Sequence, residues 1–361
     1  MDYNVKSVTY KVLRCIFFFL PLFILLILLS MLFQPKNNGE EYGMEEERAN
    51  GIMAEPADSI DVLIVGDSES YSAFSPLELW EDYGITSYVC GTGGQRLYKT
   101  YDYLVKAFQT QSPKLVVLET NALYRKIKPR EVLSNHIANI VPVFRYRDRW
   151  KSIRRDDFYF SPNYTKIIDY KGYFPRKRKK AVKEEKMETY MQETEKSKRL
   201  KRINLYYLKK IRKLCGKRRA KLILVSTPST KNWNYSKHNG IQQYARKHRL
   251  TYLDMNMFSY EIGIDWATDS IDGGDHLNYN GATKSTDYFG SWLMERYDLP
   301  DHREDRSFQS WYEYLNRYRE QYGTYGNSSN LQNLSKGYSS GIINWSSDLF
   351  YMYPQYGFWE K

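Results

Sequence analysis

The chain has 361 residues, 42% of them hydrophobic and 16% aromatic, enough apolar material for one large or two small domains with a buried core. A mean hydropathy of −0.66 excludes a multi-span membrane protein, and the composition excludes a low-complexity or disordered chain. The net charge of +12 is localised: residues 165–219 hold 21 Lys or Arg against 6 Asp or Glu, so the remainder is slightly acidic.

The first element is the uncharged run 15–33, CIFFFLPLFILLILLSMLF, close to the ~20 residues that a helix needs to cross about 30 Å of hydrocarbon. Lys6, Lys11 and Arg14 precede it, and Glu40, Glu41 and Glu45 to Glu47 follow it. The positive flank stays inside, so residues 1–14 are expected in the cytoplasm and everything after Gln34 outside. The run is longer than the apolar part of a signal peptide and no A-x-A cleavage site follows, which favours a retained single-pass anchor in the cell membrane. Residues 34–58 are rich in Asn, Gly and Glu without a hydrophobic period, and read as a tether.

From residue 59 short apolar runs alternate with helical patterns. Asp61–Gly66, Ile85–Cys90, Lys114–Glu119, Lys221–Ser226 and Leu250–Met255 have the character of strands buried on both faces. Leu97 to Phe108, Tyr235 to His248 and Tyr279 to Tyr297 have helical spacing between or after them. This order predicts an α/β domain over 59–300 with a parallel sheet flanked by helices. The interval between the third and fourth strands far exceeds the usual connection and reads as a basic, partly helical insertion over about 125–215. Within it, Lys196 to Lys217 carries apolar residues at three-to-four spacing, so part of its charge is the solvated face of a helix. Arg176 to Lys180, RKRKK, has the look of a nucleic-acid patch. Outside a cell an anionic wall polymer or lipid headgroup is the expected partner, and no nucleic acid. Trp311, Tyr312, Tyr314, Leu315 and Tyr318 predict one more helix in 301–361, followed by an aromatic-rich tail.

In parallel α/β sheets reactive groups gather beyond the carboxyl ends of the strands. Those positions hold Gly66-Asp67-Ser68, Gly91-Thr92-Gly93-Gly94, Thr120-Asn121 and the late loop Asp272-Gly273-Gly274-Asp275-His276. A serine needs a histidine to take its proton and a carboxylate to orient the imidazole, which Ser68, His276 and either Asp272 or Asp275 supply. The backbone N–H groups of Ser68 and Gly94 and the amide of Asn121 are candidate donors to the oxyanion of a tetrahedral intermediate. Simpler roles exist for each residue alone, a helix cap for Ser68 and a turn for Asn121. Cys15, Cys90 and Cys215 lie far apart with no CxxC or histidine at ligand spacing, so neither a disulfide framework nor a zinc site is indicated, and no metal or cofactor is expected.

In this order the blocks resemble the SGNH, or GDSL, hydrolase superfamily. Val65-Gly66-Asp67-Ser68 resembles its first block, Gly94 within Gly91 to Gln95 its oxyanion glycine, and Glu119-Thr120-Asn121-Ala122 its Gly-x-Asn-Asp block with only the Asn retained. The final Asp-x-x-His block departs, since Gly273 stands three residues before His276. Asp275-His-Leu-Asn-Tyr-Asn-Gly-Ala282 resembles the ending of membrane-anchored members. The resemblance implies a three-layer, flavodoxin-like fold and an esterase or O-acyltransferase working through an acyl-Ser68 intermediate. It is similar to the lipoteichoic acid D-alanylation and alginate acetylation type, which implies an acylated glycan or wall polymer as substrate and a multi-span membrane acyltransferase as partner. Alternatives are a lipase held near its substrate by the anchor, and a catalytically degenerate fold that binds an anionic polymer or scaffolds a membrane acyltransferase.

Overall fold

Five apolar runs become the five strands of one parallel sheet in the computed structural model, which describes residues 2–159 and 161–323. They are β1 (Val62–Gly66), β2 (Ser87–Gly91), β3 (Leu115–Glu119), β4 (Lys221–Ser226) and β5 (Thr251–Asp254), in the order β2-β1-β3-β4-β5. Each lies within two residues of its expected span. Continuous apolar runs suit strands covered on both faces, and β1, β2 and β3 are buried throughout.

The helices are α1 (Asp2–Phe33), α2 (Glu47–Asn50), α3 (Ser68–Ala73), α4 (Pro76–Tyr83), α5 (Leu97–Ala107), α6 (Pro129–Ile140), α7 (Val143–Tyr146), α8 (Glu184–Thr189), α9 (Arg202–Lys217), α10 (Tyr235–His248), α11 (Tyr279–Met294) and α12 (Gln309–Tyr322). Successive strand residues point to opposite faces. Leu63, Val65, Val116, Leu118, Leu222 and Leu224 therefore pack in one core with Leu104 of α5, Leu208 and Ile211 of α9 and Ile241 of α10. Val62, Ile64, Val117, Ile223 and Val225 pack in a second core with Phe74, Leu79 of α4, and Phe289 and Leu293 of α11. Two helical layers thus enclose the sheet, and the molecule is a three-layer α/β fold.

The long connection after β3 divides in two. Its last part, α9, buries Tyr207, Leu208, Ile211 and Cys215 against the sheet, as the three-to-four spacing requires. It is the crossover helix from β3 to β4 and belongs to the scaffold. The additional material is what precedes it, α6 to α8 and the extended chain between them.

Tyr10–Phe33 within α1 is long and apolar enough to cross a membrane. The segment that follows departs from the tether expected over residues 34–58. It forms a 3-10 turn at Glu40–Tyr42, then α2, then a second 3-10 turn at Gly51–Ala54, and buries Met44, Ala49 and Ile52. Its polar side chains act as clamps on distant backbone. The Asn38 amide donates to Lys166 O at 2.6 Å and accepts from Lys166 N at 2.9 Å. Tyr88 donates to Arg48 O at 2.7 Å. Glu55 accepts Lys171 Nζ on both oxygens at 3.0 and 2.9 Å, with both side chains 1% exposed. Hydrogen bonds from polar residues leave no hydrophobic period, so composition alone reads such a segment as solvated.

The helix expected after residue 301 is α12, with Trp311, Leu315 and Tyr318 buried and the Trp311 ring tilted by 32° against that of Trp80, 5.2 Å between ring centres. The aromatic tail beyond it lies outside the described residues.

Candidate active site

The strand order reverses direction between β1 and β3, and in open α/β sheets the crevice at such a switch point is where ligands bind. The chain leaves β1 through Gly66, where a β-carbon would approach that of Glu119 to 2.6 Å, so only glycine lets β1 and β3 end this close. Asp67 then caps α3 by accepting from Glu69 N at 3.1 Å, and Ser68 is the first helical residue. The serine is placed by a cap and is not itself the cap.

His276 reaches Ser68 across 208 positions of sequence, with Nε2 2.8 Å from Oγ. On the other side of the ring Nδ1 is 2.6 Å from Asp272 Oδ2. Asp275 Oδ1 is 3.8 Å from the same nitrogen and is taken instead by the Asn232 amide. The two candidate acids are thereby distinguished: Asp272 makes the hydrogen bond and Asp275 does not. Asp272 Oδ1 also accepts the backbone N–H of Asp275 and of His276, each at 3.0 Å. Partial burial would raise its pKa, but the His276 hydrogen bond, those backbone donors and the imidazole outweigh it and hold the carboxyl down at about 2. Gly273 and Gly274 sit at φ of +76° and +95°, and a β-carbon on Gly274 would collide with Thr230 Oγ1. Two consecutive positive φ angles give the loop the extra residue that puts the acid four positions before the histidine. Ser229 pins the same loop by donating to Gly274 O at 3.1 Å and Asp275 O at 2.9 Å.

The expected oxyanion residues follow the two strands that flank β1, Gly94 after β2 and Asn121 after β3. The turn bearing Gly94 follows β2, whose Gly91 pairs with Gly66 at the end of β1. Gly94 has a φ of +58° and its β-carbon direction is open space. Asn121 is buried; its amide donates to Asp67 Oδ2 at 3.0 Å and its carbonyl accepts from Lys237 Nζ at 3.4 Å. One of its two N–H groups is used in this contact.

A layer of charge under the serine escapes the sequence reading. Arg125 Nε pairs with Asp67 Oδ2 at 2.6 Å. Glu69 accepts from the Asn232 amide at 2.7 Å and Glu119 from Asn121 N at 2.6 Å. Burial, then the charge of Asp67, raises the pKa of Glu69 well above the carboxylate range, and burial with the charges of Asp67 and Glu69 does the same to Glu119. These shifts favour the neutral form of both groups, which lie beside the Asp67–Arg125 ion pair. Burial and the neighbouring Lys198 lower Lys237 to about 8. The only sequence signals for these groups were a charged residue ending a buried strand, Glu119, and one adjoining the serine, Glu69.

Asp272, Asp275 and His276 are also close enough together to offer one ligand atom each to a cation. A cation on Nδ1 would displace the hydrogen bond that the ring donates to Asp272 and that orients it toward Ser68. The basic run from Arg176 to Lys180 lies extended beside the same loop. Lys180 N donates to Ser270 O at 2.7 Å, Tyr279 N to Arg176 O at 2.8 Å, and Arg176 Nη2 to Ser72 Oγ at 2.7 Å, while Lys177 to Lys180 are exposed.

No family model matches this sequence, and no curated protein matches it. Among solved structures it is similar to a G-D-S-L family protein from Desulfitobacterium hafniense, at 13% identity over 64% of this chain and 97% of that one, with a TM-score of 0.35. An acetyl xylan esterase overlaps at 12% identity, 64% and 99% coverage and a TM-score of 0.34. A GDSL-like lipase from Bacteroides thetaiotaomicron overlaps at 11% identity, 65% and 85% coverage and a TM-score of 0.31. The solved structures that this chain is similar to thus include GDSL-type lipases and an esterase.

Proposed function

We propose that the protein is an SGNH-type serine esterase or O-acyltransferase, held in the membrane by α1 with its α/β domain outside the cell. The observation that carries this reading is the unbroken relay from Asp272 through His276 to Ser68, at 2.6 and 2.8 Å. In it His276 Nε2 takes the Ser68 proton as Oγ bonds to the acyl carbon, and the anionic oxygen of the tetrahedral intermediate meets N–H donors from Ser68, Gly94 and Asn121. The carbon–oxygen bond to the leaving alcohol breaks as His276 returns the proton to it. Water or a sugar hydroxyl then gives its own proton to His276 as it bonds to the acyl carbon, and the bond from that carbon to Ser68 Oγ breaks as His276 returns the proton to Oγ. Asp272 holds the ring and balances its transient charge without being protonated, consistent with a carboxyl pKa of about 2.

The exposed basic strip beside the histidine loop supports an anionic envelope polymer as the acyl acceptor or donor. A multi-span membrane acyltransferase, the partner type of the anchored proteins this sequence resembles, is the corresponding source of acyl groups. The test is intact mass of the full-length protein in detergent after a fluorophosphonate probe, alongside Ser68→Ala, with release of acetate from acetylated polymer measured in parallel. One adduct per chain that vanishes in Ser68→Ala is the expected result. A folded protein with no adduct and no ester turnover would leave polymer binding through the basic strip as its function.

A further inference from the structure

The additional segment between β3 and α9 carries an apolar surface that the catalytic site does not use. In α6 the side chains Leu133, Ile137 and Ile140 recur at four- and three-residue spacing, and Phe144 of α7 continues the stripe. Trp150, Phe158 and Tyr159 follow, and all seven are between 41 and 67% exposed. The opposite, polar face is tied down. Asn135 and Asn139 both donate to Asp102 Oδ2 of α5, at 2.7 and 2.9 Å, and Arg145 donates to both of their carbonyls at 2.9 and 2.8 Å. The apolar stripe is therefore held outward.

What this segment packs against fixes its surroundings. The last carbonyls of a helix lack partners within the helix, and here basic side chains supply them: Arg149 Nη1 donates to Phe33 O at 2.6 Å and Lys36 Nζ to Met31 O. Arg149 is locked in turn by Asp157 at 2.7 Å, both buried. Val143 N, at the start of α7, donates to Ser30 Oγ at 3.4 Å. With Arg14 outside the hydrocarbon on the inner side, a core of about 30 Å starting at Cys15 ends near Gln34, which puts Ser30 about 6 Å within its outer edge. Helices that lie in a membrane interface bury their apolar face about 5 to 10 Å deep, so α7 is at interfacial depth by its bond to Ser30 alone.

We infer that residues 129–159 form an interfacial belt that lies in the outer leaflet around the exit of α1, with Leu133, Ile137, Ile140 and Phe144 among the acyl chains. Trp150 and Tyr159 have the amphipathic rings that favour the headgroup level. Arg147, Lys151, Arg154 and Arg155 are exposed beside them, placing positive charge where anionic headgroups lie. The inference rests on α1 being the retained anchor, and is independent of any catalysis by Ser68.

The experiment places a nitroxide at Ile140→Cys, at Phe144→Cys and, as the aqueous reference, at Tyr260→Cys in the full-length chain. Tyr260 is 96% exposed and follows β5, at the sheet edge opposite β2. Cys15 is replaced by alanine, while Cys90 and Cys215 are buried. In nanodiscs of phosphatidylcholine with phosphatidylglycerol, collisions with oxygen should exceed those with a water-soluble nickel chelate at positions 140 and 144, and the reverse should hold at 260. Labels at 140 and 144 that behave like that at 260 would overturn the belt. So would labels shielded from both reagents, since a protein surface then covers the stripe. Quenching of Trp150 by brominated phospholipid, read as the difference from Trp150→Phe, gives the same answer without a label and should be lost in that variant. Intact mass of the membrane-extracted chain reports separately whether residues 1–33 are retained.

Discussion

Asp272 binds His276 twice: one carboxylate oxygen lies 2.6 Å from the ring Nδ1, and the other accepts the backbone N–H of the same residue at 3.0 Å. The ring and the chain carrying it are oriented by a single side chain. Asp275, adjacent in sequence, has no such hold. Asp272→Asn should lower kcat for an ester substrate by about 10⁴-fold, the cost of losing the orienting carboxylate in a serine triad, whereas Asp275→Asn should cost little by comparison. Equal losses in the two variants would remove the distinction.

Binding of an anionic polymer separates from chemistry. Serine at Lys177, Arg178, Lys179 and Lys180 together should raise KM for an anionic polymer ester while leaving kcat/KM for a small neutral ester unchanged. The gap between wild type and variant should narrow as salt rises toward 1 M, where screening acts within about 3 Å. A polymer KM that ignores both the charges and the salt would exclude the strip from substrate binding.

Glu78 gives a pH-dependent stability. It is buried, accepts from Tyr318 at 2.8 Å and Thr283 at 3.0 Å, and burial pushes its pKa up to about 7 despite those bonds. The folded chain keeps a proton that the unfolded chain releases near 4.5, so this residue's contribution is fully present below pH 4.5 and is lost as pH rises through about 7. The melting temperature of the wild type should therefore fall relative to Glu78→Gln between pH 5 and pH 8. A difference that does not change with pH would show that Glu78 is ionised throughout.

The buried Lys171–Glu55 pair should show the asymmetry of charges removed from water. Lys171→Met leaves Glu55 without its partner and should cost about 3 to 5 kcal/mol by chemical denaturation. Lys171→Met with Glu55→Leu should recover most of that loss, because no charge is then stranded. A double variant less stable than the single one would contradict this account.

The sheet was legible because strands buried on both faces must be continuously apolar, and Val62–Gly66, Leu115–Glu119 and Lys221–Ser226 fall where those runs lie. Ser68, His276 and Asn121 were legible because each follows or faces a strand end. The choice between Asp272 and Asp275 was not, since it depends on two positive-φ glycines whose turn direction a spacing rule does not contain. Residues 34–58 were misread because their cohesion comes from side chains such as Asn38 and Glu55 bonding partners more than 100 positions away. Glu69 and Glu119 were passed over because a carboxyl group looks the same in sequence whether it is solvated or buried beside a candidate nucleophile.

The packed course of residues 34–58 sets a working distance. As a free linker those 25 residues would let the domain wander roughly 25 to 30 Å from the end of α1. Clamped to β2, to Lys166 and to Lys171, they allow no such search. With α1 in a bilayer, Ser68 would be held at one altitude, and the proposed enzyme would select its target by height as well as by chemistry. On the proposed esterase reading, ester groups farther out on a long polymer would come within reach only when the polymer bends back to the surface.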